Sequence, residues 1–99
     1  MAGLPQNYNV DECWHMLSVI YSRYAVFMYV HSMCCNTDRA ADGLEFINNT
    51  RDFFGDEFVD GTIRRLNINQ DDVSISDVYN FMIDITEFLK ELITYKIKA

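Results

Sequence analysis

His31, Cys34 and Cys35 are the residues of this chain whose types and spacing come nearest to a metal site. Helix positions three and four apart share a face, so His31 and Cys35 could present an imidazole and a thiolate to one transition metal. Cys13 and His15 lie about four helical turns away and cannot join them within one chain. A closed structural site needs four ligands. The expectation is therefore small core cysteines and a hydrogen-bonded His31, with no metal and no other cofactor. Cys34 and Cys35, adjacent in a helix, point about 100° apart, which is poor geometry for a disulfide between them.

The run Asp60-Gly61-Thr62-Ile63 resembles the middle of a calcium-binding helix-loop-helix loop, with the glycine at its sharp turn. Taking Asp56 as the first ligand places Phe58 at the third position and Asn67 at the twelfth. The pattern needs an oxygen ligand at the third and a bidentate glutamate at the twelfth, so a capped turn between short helices is the better account. Catalysis finds no foothold either. There is no glycine-rich phosphate loop, no nucleophile elbow and no paired-carboxylate metal site built from two Glu-x-x-His helices. His15 and His31, the two histidines, both fall in an apolar helix, and the chain is read as not an enzyme.

The acidic residues carry more. Asp38, Asp42, Glu45, Asp52, Asp56 and Glu57 crowd one stretch against Arg39 and Arg51, and Asp38, Asp42 and Glu45 share a helical face by spacing. The whole chain has a net charge of −7. That disfavours direct contact with nucleic acid or an anionic membrane, where clustered Lys and Arg are needed. It suits a partner with a basic surface, although an acidic face also serves solubility. Tyr21 and Tyr29, with Tyr8 and Tyr79, fall outside the best core stripes and are expected at an interface.

The elements that must position these groups follow from periodicity. With 99 residues, 49% apolar, and few glycines or prolines, the chain is expected to be a single all-α domain over 9–99 after a loose arm at 1–8. The expected architecture is a small bundle of three long helices plus one short helix, with the first helix central. That helix should begin near Val10, behind an Asn9–Glu12 capping pair, and run to about Asn36. Cys13, Leu17, Ile20, Tyr24, Phe27, His31 and Cys34 form one apolar seam. Met16, Val19, Val26, Val30 and Met33 form a second, interrupted by Arg23. A helix apolar on several faces is the centre of a bundle or half of a subunit interface, so a homodimer is expected. Arg23 is either buried against a carboxylate or at the solvent edge.

A second helix is expected from Thr37 or Asp38 to Phe54, ended by Gly55 and weakened by Gly43 unless that glycine admits the first helix. A short helix is expected over Asp56–Leu66, then a polar loop to Val73. The last helix should start at a Ser74–Asp77 box with Val78, Phe81, Ile85, Phe88, Leu92 and Tyr95 inward. The longest apolar run, Tyr24 to Val30, is about two turns, too short for a bilayer. Met1 to Asn9 lacks a basic, apolar leader, so a reducing cytoplasm is expected, and there the Asn48-Asn49-Thr50 sequon is uninformative. The functional expectation is a small acidic inhibitor or adaptor. It is like in type to phage antagonists and bacterial immunity proteins, and would occupy a basic, nucleic-acid-binding groove of another protein. The alternative is a bundle holding a small ligand or metal between its helices.

Overall fold

The structure, a computed structural model, describes residues 9–33 and 38–98. The expected arm at 1–8, Tyr8, Thr37 as a cap, and the Cys34 and Cys35 arms of the metal reading lie outside the described residues. Among the described residues the chain is helical without strands: α1 is Val10–Met33, α2 Arg39–Asn49, α3 Arg51–Phe54, α4 Asp56–Leu66 and α5 Ile75–Lys98.

Local chemistry sets the boundaries. The Asn9 side chain accepts from the Glu12 amide at 2.8 Å, and Asp38 caps α2 by accepting from Ala41 at 3.0 Å. Ser74 and Asp77 form a reciprocal box, each side chain accepting the other's amide at 3.0 Å. Gly55, at φ 83°, turns α3 into α4 in a conformation that glycine adopts at no steric cost. Asn67 closes α4 in the left-handed region, and Ile68 donates back to the Ile63 carbonyl.

The expected long second helix is instead two pieces. Thr50 is buried, and its hydroxyl and amide both donate to the Ile47 carbonyl, at 2.6 and 3.1 Å. A side chain that engages the preceding turn competes with the helical ladder. The chain breaks there, so the described residues form two 24-residue helices, two of 11 residues and a single turn. The Asp60-Gly61-Thr62 run that resembled a calcium loop is inside α4, continuous helix with no ligand loop.

The centre of the fold is α5 rather than α1. The last helix packs against α1, α2 and α4, and buries Val78, Phe81, Met82, Ile85, Thr86, Leu89 and Ile93. It runs antiparallel to α1, pairing Tyr24 with Tyr79 and Tyr21 with Lys90. In α1 only the first seam is core: Cys13, Leu17, Ile20 and Phe27 are buried, joined by Met16. The second seam is half out, with Val26 and Met33 exposed, because α2 meets α1 along its edge and leaves that side open. Tyr95, expected inward, is exposed near the end of α5.

The loop after α4 is less polar than its composition. Ile68 and Val73 are buried and complete one continuous apolar cluster with the helices. On the outer side, Arg65 clasps Asp84 with two bonds of 2.8 and 2.7 Å, fastening α4 to α5.

Candidate protein-binding groove

Two clefts open along the same flank of α1. The first, about 330 Å³, has Phe27, Val30 and Phe46 as apolar lining and Arg23, Asp42 and Glu45 as charged lining. The second, about 460 Å³, is lined by Asp11, Glu12, His15, Met16, Asp52 and Phe53. Glu12, Met16, Val19, Arg23, Val26 and Val30 fall in alternating steps of four and three, one stripe of α1. Asp42, Phe46, Asn49 and Phe53 make the matching stripe on α2 and α3. Along these stripes the two clefts follow one another between α1 and the α2–α3 segment, without a shared lining residue, and are together called the groove.

One end of the groove is fixed by a contact between His31 and Asp42. His31 Nε2 lies 3.1 Å from Asp42 Oδ2, and the His31 side chain is only 3% exposed, tilted against Phe27 with ring centroids 4.5 Å apart. Its partner Asp42 stays half in solvent, so one carboxylate both joins α2 to α1 and faces the cleft. Arg23 is at the solvent edge, in the same cleft as Asp42 and Glu45, which settles its position.

The acidic residues singled out by sequence separate into groups. Asp42 and Glu45 line the first cleft and Asp52 the second. Asp38 is exposed and occupied as the cap of α2. Asp56 and Glu57 are exposed on α4, where Asp56 is drawn to Arg51 Nη1 at 3.2 Å. The same guanidinium holds Asp60 at 2.7 Å and Asn48 at 2.9 Å, so Asp56 and Asp60 share one cation that offsets part of their charge. Asp11, and Glu12, which the sequence offers as the capping partner of Asn9, also join Asp52 across the second cleft. The readable signal was the α1 stripe itself, in which Arg23 and Glu12 stand at core spacing.

Arg51 hydrogen-bonds Asp60 and holds its carboxyl below the ordinary 3.8. The folded state thus gives up this proton more readily than the unfolded chain. The stabilisation is present above about pH 3.8 and disappears as pH falls through the lower folded value. Urea midpoints of the wild type and Asp60→Asn should differ at pH 6 and converge below pH 3.8. A gap that persists in acid would mean the ion pair is not its source.

Neither tyrosine lies in the groove. Tyr29 is exposed on α1, and Tyr21 rests beside α5 with Lys90 Nζ 5.6 Å from its ring centroid. A hydrogen bond from Lys90 draws the Tyr21 phenol below its ordinary 10.0. Burial pushes the Cys13 thiol above 9.0, which keeps it neutral and unreactive. Among the described residues no group of three or more His, Cys, Asp or Glu is placed to hold a metal, and no helix is long and apolar enough to cross a membrane. Comparison with protein-family models, curated proteins and solved structures finds no match to this chain, so its groove alone carries the functional argument.

Proposed function

We propose that this protein is a non-catalytic inhibitor or adaptor that takes a basic segment of a partner protein into the groove between α1 and α2–α3. The observation that supports this reading is convergence. Asp11 and Glu12 from α1, Asp42 and Glu45 from α2, and Asp52 from α3 meet around clefts floored by Met16, Phe27, Phe46 and Phe53. Acidic walls over an apolar floor match an amphipathic helix that carries Lys or Arg on its flanks. The apolar side chains would supply affinity, and the carboxylates orientation and rapid encounter. Basic surfaces of this kind are what nucleic-acid-binding proteins present, and occupying one would block it.

The test uses a lysine-rich amphipathic helical peptide as the probe, with binding followed by fluorescence anisotropy. Affinity should fall as salt rises, and the triple variant Asp42→Asn, Glu45→Gln, Asp52→Asn should bind at least tenfold more weakly, with unchanged helical circular dichroism. Asparagine at position 42 keeps an oxygen facing His31. A matched triple change at Asp71, Asp72 and Glu91, exposed acids away from the groove, should leave binding close to wild type. Equal losses in the two variants would reduce the groove to bulk charge and sink the proposal.

A further inference from the structure

The exposed side of α1 has a pattern that the groove does not use. Trp14, Ser18, Tyr21, Ala25, Tyr29 and Ser32 follow steps of four and three, and each is exposed. Bulky and small residues alternate along this stripe. Trp14, Tyr21 and Tyr29 remain 51%, 38% and 66% exposed. The stripe is also uncharged. From Cys13 to Met33 the chain holds none of its 15 acidic residues, and Arg23, its one Lys or Arg there, lines the groove instead.

We propose that this stripe is a two-fold interface on which a second copy of the chain lies antiparallel. The geometry of the stripe selects that occupant. Running α1 against itself about a point near residue 23 sets Trp14 against Ser32 of the second copy, Ser18 against Tyr29 and Tyr21 against Ala25. Every bulky side chain then meets a small one, and the symmetry repeats each contact, which is the self-complementarity of an isologous interface. Helices pack closely where small residues receive large ones. Charge points the same way. Two chains of net charge −7 repel, and they approach at least cost through a stripe whose own residues carry no charge and whose α5 edge holds Lys90 beside Tyr21.

The stripe is about 27 Å long. Tyr79 and Ile83 of α5 are exposed beside the α1–α5 seam and widen it. The three α1 aromatics and Tyr79 leave roughly 400 Å² of ring surface in water. That is about half of the ~800 Å² each partner gives to a standard interface, and the serines, Ala25, Ile83 and the helix stems contribute further area. The groove-facing stripe of α1 is a different one, so a dimer leaves both acidic grooves available.

Trp14 is the chain's single tryptophan and reports directly on this contact. Light scattering across the micromolar range should show a dimer, and tryptophan emission should move to the red on dilution as Trp14 returns to water. Added salt should strengthen the dimer by screening like charge, opposite to its effect on basic-peptide binding. The two proposals therefore fail independently. Ala25→Arg, at an exposed position, should raise the dimer dissociation constant at least tenfold without changing the circular dichroism. A wild-type monomer with concentration-independent emission, or a dimer indifferent to Ala25→Arg, overturns this interface and turns attention to a different partner for the aromatic face.

Discussion

Phe54→Ala is expected to lower stability by about 3–5 kcal/mol, a large share of what a domain of this size possesses. Phe54 is fully buried on the four-residue α3. Its ring stacks on Phe58 at 5.0 Å, and Phe58 in turn meets Phe88 of α5 at 5.2 Å. A single turn of helix has almost no stability of its own, so this aromatic series is what pins α3 to the core. Asp52 and Phe53, which line the second cleft, ride on that turn. Equilibrium urea unfolding measures the loss. A cost below about 1 kcal/mol would show that the site collapses around the cavity and that α3 is anchored by other contacts.

Gly43→Leu should cost about 3 kcal/mol, the upper end for overpacking a core. A Cβ at position 43 would stand 2.9 Å from Val73 Cγ1 and 3.1 Å from Val78 Cγ2, and both valines are fully buried. The close approach that this glycine permits is to α5 and the loop before it, not to α1. The gain in helix propensity over glycine, about 1 kcal/mol, does not offset a clash with branched side chains that have nowhere to go. Gly61→Ala is the control, since its Cβ meets only Arg64 Nη2 at 3.9 Å. That substitution should stabilise by about 0.5–1 kcal/mol. Thermal and urea midpoints moving in the same direction for both variants would contradict this account of packing.

Parts of this fold are legible in sequence because the forces behind them act within one turn. The Asn9, Asp38 and Ser74 caps, the Gly55 reversal and the extent of α4 all depend on neighbours a few residues apart. The candidate groove was half legible. Asp42, Glu45 and Asp52 stood out as acidic, but their union with Asp11, Glu12 and Arg23 needs α2 and α3 laid along α1. Thr50 is a further case, since a buried threonine that breaks a helix looks in sequence like any other threonine.

By itself, the sequence determined that the chain is helical, where most of its helices start and stop, and that acid is kept out of α1 after Glu12. Only the tertiary structure decided that α5 is the central helix, that Gly43 receives Val73 and Val78, and which apolar seam of α1 is core and which is groove. The reason is physical. Capping and periodicity are short-range and recur in every helix of a given pattern. Burial is assigned by competition among faces, and in α1, with apolar residues on several sides, the outcome depends on where the other helices can reach.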